Sequence, residues 1–234
     1  MNNFVKENER VDDLQLNGLV IIQNPQKFLF GIDAVLLSDF AVAAKDERLL
    51  DLGTGTGVIP ILMSAKGRGT HYAGVDIQDE MVDMARRSVS LNVFRGTLTE
   101  GLVAIDFGDI RDLSGLYKPS SFDVITCNPP YIKSGEGLVN EAGARAVSRH
   151  EIACTLADVM SAAARLLRPG GRFALVHKPH RLAECFELMK LSGLEPKRLR
   201  FVHATAGKEP SLFLIEATRG GGAFLKVMAP IILA

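Results

Sequence analysis

Apolar residues recur along this chain with two periods. From residue 48 onward, short runs rich in Leu, Ile and Val alternate with longer stretches whose apolar positions repeat every three to four residues. The runs Arg48–Leu52, His71–Asp76, Leu102–Asp106, Phe122–Cys127, Arg172–His177, Arg198–His203 and Leu212–Glu216 predict strands. The first of them are continuously apolar, as a sheet covered on both faces requires. The stretches Val58–Lys66, Glu80–Asn92, Arg149–Leu167 and Arg181–Leu191 predict helices. In the third, Ile152, Leu156, Val159, Ala163 and Leu166 share one face. Ser148-Arg-His-Glu151 reads as a capping box at its start, and Pro169-Gly170-Gly171 as its stop. Strands alternating with helices predict an α/β fold with right-handed crossovers and a mostly parallel sheet. The last two strands lack an intervening helix, so they are expected to pair antiparallel across a loop Ala204–Ser211.

Residues 1–47 read differently. Leu19–Gln23 and Lys27–Phe30 predict a small hairpin turning at Asn24-Pro25, and Asp33 is placed to cap a helix Ala34–Ala44. The expected organisation is therefore a short N-terminal extension, 1–47, packed on one domain, 48–234. Composition agrees with a globular chain: 234 residues, 47% hydrophobic, 23% charged and formally neutral. That balance excludes a disordered tail, a coiled coil and a collagen-like fibre. No apolar run approaches the roughly 20 residues of a membrane helix, and Val35–Ala44 is broken by Ser38 and Asp39. The N-terminus lacks the basic-then-apolar order of a signal peptide. Cys127, Cys154 and Cys185 are odd in number and far apart, which argues against disulfides and against a zinc cluster and fits a reducing cytoplasm. Neither a metal nor a membrane is expected. Neutrality hides an asymmetry. Residues 1–144 carry 13 Lys+Arg against 20 Asp+Glu, and residues 145–234 carry 14 against 7. The basic half either attracts a polyanion or spreads its charge over solvated faces.

The candidate chemistry begins at Asp51-Leu-Gly53-Thr-Gly55-Thr-Gly57, after the first strand and at the opening of the first helix. Glycines there allow positive φ and close approach of a ligand, and the helix N-terminus offers free N–H groups. Asp76 ends the second strand, where an acidic residue can bind ribose hydroxyls. The expected crevice is nucleoside-sized. The loop is one residue shorter than a dinucleotide fingerprint, and no Gly-Lys-Ser/Thr occurs, which excludes a Walker loop. The set resembles the Rossmann-like class I S-adenosylmethionine-dependent methyltransferases. The resemblance implies that Asp51, Gly53, Gly55 and Gly57 cradle the cofactor. It also places Asp76 and Ile77 at the ribose, and Asp109 and Ile110 at the adenine.

The fourth strand runs into Asn128-Pro129-Pro130-Tyr131. Two prolines remove two N–H donors, and Asn128 before proline is forced extended, so the rim presents acceptors only. An exocyclic amino group is a double donor. The Asn128 side-chain oxygen and the carbonyl of Asn128 or Pro129 can accept its two hydrogens, while Tyr131 can stack on a planar base. The attacking nitrogen gains positive charge during methyl transfer, and fixed acceptors stabilise it without a general base. Cys127 lacks a Pro-Cys pair and reads as a packed strand residue rather than a nucleophile. The tetrapeptide resembles the signature of amino methyltransferases acting on adenine N6, cytosine N4, guanine N2 or glutamine N5. Beyond it, Lys133, Arg145 and Arg149 form a Gly-rich cationic loop suited either to phosphates or to linking.

Gln23, the Phe28–Leu37 segment, the glycine loop, the tetrapeptide, the Arg149-His150-Glu151 helix start and the final strand pair follow in one order. Over roughly residues 15–234 this order resembles bacterial tRNA adenine N6-methyltransferases that act beside the anticodon of a valine tRNA. That implies a tRNA partner, methylation at adenine 37, a flipped base, and closure of Phe30 and Asp33 over the cofactor. Two other readings stay open. One is a protein glutamine N5-methyltransferase acting on a translation factor, which usually carries a larger helical N-terminal domain. The other is a non-catalytic S-adenosylmethionine- or RNA-binding protein, which would not need the acceptor rim.

Overall fold

A computed structural model describes residues 4–27, 29–41, 43–66, 69–129 and 154–234. Two short strands, β1 (Arg10–Asp13) and β2 (Val20–Gln23), form an antiparallel pair, and α1 (Ile32–Phe40) follows. Strands and helices then alternate: β3 (Glu47–Leu52), α2 (Val58–Ala65), β4 (Gly69–Asp76), α3 (Asp79–Phe94), β5 (Val103–Phe107) and β6 (Phe122–Cys127). After α4 (Leu156–Leu166) come β7 (Leu167–His177), a 3-10 turn (Pro179–Arg181), α5 (Leu182–Leu191), β8 (Leu194–His203) and β9 (Pro210–Arg219). Two short strands end the chain, β10 (Lys226–Val227) and β11 (Ile231–Ile232).

Among the described residues, the large sheet has the order β10-β8-β9-β7-β6-β3-β4-β5, with β11 also on β8. Strands β3 to β7 are mutually parallel, and β9 runs antiparallel to both β7 and β8. All seven strands expected from the apolar runs are present, each with shifted ends of at most a few residues, except β7, whose start moves to Leu167. Alternation along each strand sorts the core into two layers. Leu49, Tyr72, Val124 and Val176 face the cluster containing α1, α2 and α3, whereas Leu50, Leu52, Val75, Ile125 and Leu175 face that of α4 and α5. The strand order reverses between β3 and β6, so the crevice of an open α/β sheet falls beyond their carboxyl ends.

Three local expectations are corrected. β2 pairs with β1, not with Lys27–Phe30. The Asn24-Pro25 turn does form, with the Lys27 N–H on the Asn24 carbonyl, but no strand follows it among the described residues. β2 is instead held on its other side by α3, where the Asn92 side chain accepts from Val20 N at 2.9 Å and the Ser88 hydroxyl from Ile22 N at 2.9 Å. These buried polar groups satisfy the outer strand edge and fix the segment to the core. Second, α1 starts two residues before the expected Ala34 and ends at Phe40. Gly31 is its N-cap, and Asp33 lies in its first turn, so Asp33 acts through the helix dipole rather than as a cap. Third, α4 starts at Leu156, not Arg149. Thr155 caps it, accepting from Asp158 N while the Asp158 carboxylate accepts from Thr155 N. The expected box at Ser148–Glu151 lies outside the described residues. The Pro169-Gly170-Gly171 stop also belongs to β7, where the ladder to β6 shifts register between Phe122 and Val124.

Candidate active site

The site grows from the register of β3. Asp51 pairs with Gly74 of β4 on one side and Thr126 of β6 on the other, and it is 1% exposed. The Thr126 hydroxyl donates to Asp51 Oδ1 at 2.7 Å, and Asp51 Oδ2 is buried with no hydrogen-bond partner among the described residues. Burial pushes this carboxyl up to about 7. The Thr126 bond opposes that shift, and the neighbouring negative charge of Asp76 adds to it. A half-satisfied buried carboxylate is costly unless a donor or cation completes it.

The glycine loop is then pinned from below. Gly53 N and Thr54 N both donate to the Val75 carbonyl, at 2.9 and 3.0 Å. Gly55 N donates to Asp76 Oδ2 and Gln78 N to Oδ1, each at 2.9 Å. Asp76 thus ties the loop to the start of α3 while retaining lone pairs on both oxygens. Gly53 and Gly55 have φ of 69° and 56°, and a Cβ on Gly55 would meet nothing within 4 Å. That open face leaves room for a ligand against the loop backbone. Gly57 has another purpose, since its Cβ would lie 3.1 Å from Ala85 Cβ of α3. Gly74 is required too, because a Cβ there would lie 2.6 Å from Thr54 Oγ1.

Beyond β5, the Gly108 N–H donates to the Asp76 carbonyl and brings Asp109 to the same edge. Arg111 grips the Asp109 carboxylate through Nε at 3.0 Å and a terminal nitrogen at 2.5 Å, and this bond holds the carboxyl below its usual range. Ile110 packs against the α4–α5 side of the core, with Cδ1 3.9 Å from the position of a Cβ on Gly53, and Ile77 stands exposed after Asp76. Phe30 is anchored by its N–H on Gln23 Oε1 at 3.0 Å and packs on the cluster shared with α2, the helix that the glycine loop opens. Asp33 lies three residues on, in the first turn of α1, which packs on α2.

Leu52 pairs with Cys127, so Gly53 and Asn128 are the first residues beyond the paired ends of neighbouring strands. Asn128 and Pro129 are half-buried. Cys127 is fully buried, and burial raises its thiol well above its ordinary range, so no thiolate nucleophile arises there. Pro130, Tyr131, Lys133, Arg145 and Arg149 lie outside the described residues. Thr126 was not among the expected site residues. Its signal was a lone hydroxyl in an otherwise apolar strand end.

The donor set can be tested against S-adenosylmethionine, the cofactor this fold implies. The second oxygen of Asp51 and the buried Thr56 hydroxyl have no hydrogen-bond partner among the described residues, and the open face of Gly55 leaves room for a ligand. The residues present fit it.

An open, mostly parallel sheet of this order, with a glycine loop after β3 and an acidic end on β4, defines the class I methyltransferase fold. Solved structures agree on that fold. A predicted O-methyltransferase from Agrobacterium tumefaciens superposes with a TM-score of 0.69 at 21% identity, covering 86% of each chain. Geranyl diphosphate C-methyltransferase from Streptomyces coelicolor gives 0.55 at 17%, covering 80% of this chain and 76% of that one. A family described as methyltransferase domain matches residues 43–210. The tRNA1(Val) (adenine(37)-N6)-methyltransferase of Aeromonas salmonicida is 31% identical over 81% of this chain and 76% of its own. Its counterpart in Porphyromonas gingivalis strain W83 is 30% identical over 80% and 72%. The chain belongs to this methyltransferase family.

Proposed function

We propose that the protein transfers a methyl group from S-adenosylmethionine to the exocyclic N6 of adenine 37 in a valine tRNA. The observation that supports this reading most is that the glycine loop and Asn128-Pro129 directly follow the paired ends of two adjacent parallel strands, β3 and β6. The named relatives supply the substrate. S-adenosylmethionine, when bound, supplies an electrophilic methyl carbon on a sulfonium. Asp76 accepts from ribose hydroxyls, Asp51 Oδ2 accepts from a cationic donor, and Ile77 and Ile110 flank a planar base while Asp109 accepts its amino hydrogens. Asn128 accepts from the substrate amino group and stabilises the positive charge that develops on its nitrogen. Pro129 and Pro130 keep competing N–H donors away from it. Tyr131 stacks on the base, and Phe30 and Asp33 close the cradle. Lys133, Arg145 and Arg149 contact the RNA backbone.

The test is incubation with labelled S-adenosylmethionine and either total bacterial tRNA or translation-factor protein, followed by nucleoside and peptide mass spectrometry. N6-methyladenosine in the valine tRNA is expected. Label on a glutamine side chain would replace the RNA substrate with a protein one.

A further inference from the structure

Two buried polar side chains meet at the carboxyl end of β3. Asp51 is 1% exposed, and Thr126, its register partner on β6, is fully buried. The Thr126 hydroxyl donates to Asp51 Oδ1 at 2.7 Å. Folding alone gives no reason for this pair. Burying a carboxyl and a hydroxyl costs desolvation that one hydrogen bond offsets only in part, and two apolar side chains of the same shape would serve packing as well. Its place supplies a reason. Asp51 opens the turn that carries Gly53, Gly55 and Gly57, and Thr126 stands two residues before Asn128. The bond therefore joins the strand that leads into the glycine loop to the strand that leads into Asn128-Pro129.

The two oxygens of Asp51 differ. Oδ1 is held by Thr126, while Oδ2 is buried with no hydrogen-bond partner among the described residues. β3 is packed by β4, β6 and α2. Of their titratable groups, Asp76 on β4 and Cys127 on β6 act at this end of the strand, and α2, Val-Ile-Pro-Ile-Leu-Met-Ser-Ala, has none. Asp76 is a like charge, and burial raises the Cys127 thiol well above its ordinary range, so it is neutral. Burial pushes the Asp51 carboxyl up to about 7. The hydroxyls of Thr126 and Thr54 oppose that shift, Thr126 the more strongly, and Asp76 adds to it.

We infer that Thr126 is a positioning residue for the methyl donor: its hydroxyl holds the Asp51 carboxylate by one oxygen and leaves the other to pair with the cofactor's ammonium group. This deepens the cofactor-binding part of the proposed function and rests on it, but not on the RNA. A β-branched side chain has a restricted χ1, so the backbone of β6 sets the direction of the hydroxyl and, through it, that of the carboxylate. A hydrogen bond to the charged form also favours that form, which is the one that attracts a cation. Without the hydroxyl, the carboxyl stays protonated to higher pH and meets the ammonium as a neutral acid.

The experiment is calorimetric titration with S-adenosylmethionine and with 5′-methylthioadenosine, which keeps the nucleoside but lacks the ammonium and carboxylate. It compares the wild-type protein, Thr126→Val, Thr126→Ser and Asp51→Asn at about pH 6 and about pH 8, either side of the Asp51 titration. Loss of one hydrogen bond to a charged group should raise that titration by about one pH unit. Thr126→Val should then bind S-adenosylmethionine about tenfold more weakly at the lower pH and only about twofold more weakly at the higher. 5′-Methylthioadenosine should bind Thr126→Val as it binds the wild-type protein, and Thr126→Ser should restore the affinity for S-adenosylmethionine. In the ligand-free protein, the pH range over which stability falls should extend in Thr126→Val from about 7 to about 8, read by denaturant unfolding. If Thr126→Val does not fold, Thr126→Ala carries the same expectations. If the variant weakens both ligands equally, or by one factor at both pH values, Thr126 is structural and the inference falls. If Asp51→Asn binds S-adenosylmethionine as the wild-type protein does, the role of Asp51 in the proposed function falls and takes this inference with it. If Asp51→Asn loses that affinity while Thr126→Val keeps it, only the inference about Thr126 falls.

Discussion

At the scale of single residues, the burial of Asp51 couples folding to pH. Its carboxyl sits at about 7 when buried beside Thr126, against 3.8 ordinarily. The folded state therefore holds a proton that the unfolded state releases, and stability falls through this group as pH rises from about 4 to about 7. Above that window the cost is constant. Asp51→Asn should flatten this part of the pH–stability profile, measured by denaturant unfolding between pH 4 and 8. A cationic ligand beside Oδ2 draws the group into its ionised form, so binding at pH 6 should release a proton. Calorimetry in buffers of different ionisation enthalpy should detect that proton for the wild-type protein and not for Asp51→Asn. Asn128 acts on the other side of the crevice. On the proposed role, Asn128→Ala removes the side-chain acceptor of the reacting amino group, so kcat should fall at least 100-fold, the size of a lost oxyanion-hole donor. Cofactor affinity by calorimetry should be retained, and a comparable loss of cofactor affinity at unchanged folding would contradict the role.

At the scale of elements, the glycine loop owes its shape to a residue outside it. Gly74, in the middle of β4, lies against Thr54, with Oγ1 2.6 Å and both Cβ and Cγ2 2.8 Å from where its own Cβ would be. Thr54 is 4% exposed and β-branched, so it has little freedom to yield. Gly74→Ala should therefore displace the loop, lower stability by about 1–3 kcal/mol and weaken the cofactor about tenfold, read by thermal melting and by calorimetry. An unaltered melt would mean that the loop tolerates the methyl group. The sequence carried the loop, Asp76 and the strand ends plainly, because strands buried on both faces leave continuous apolar runs and glycines leave gaps in side-chain chemistry. It carried Gly74 and Thr126 poorly, since their roles exist only across the sheet. The N-terminal pairing was hidden because β1 is Arg10-Val-Asp-Asp13, a polar, mostly exposed strand with no apolar face to mark it. The start of α4 was misplaced because Ser148-x-x-Glu151 and Thr155-x-x-Asp158 both satisfy the capping pattern. Local sequence alone does not rank two such boxes.

At the scale of the whole molecule, the sheet ends on β8, and an uncovered edge strand offers its backbone to other chains. Residues after β9 return to cover it. Lys226 and Val227 pair in parallel with Arg198 and Leu199, and Ile231 and Ile232 with Val202 and His203. Met228 N on the Leu199 carbonyl at 2.8 Å and Leu233 N on the His203 carbonyl at 3.0 Å extend the pairing. Pro230, lacking an N–H, separates the two short ladders. Met228 and Ile231 also turn into the core cluster of α1 and α2, and the Arg200 side chain reaches the Ala229 carbonyl at 2.9 Å. The strap thus closes an edge and roofs the core beneath it at once. Deleting residues 224–234 should therefore have two effects that separate in measurement. Lost apolar burial should lower the melting temperature, by roughly 2–4 °C for each kcal/mol removed in a chain of this length. The bared backbone of β8 should cause association that grows with protein concentration, visible by sedimentation. A shortened protein that melts as before and stays monomeric at high concentration would mean that β8 is protected by its own Lys197, Arg198 and Arg200 rather than by the strap.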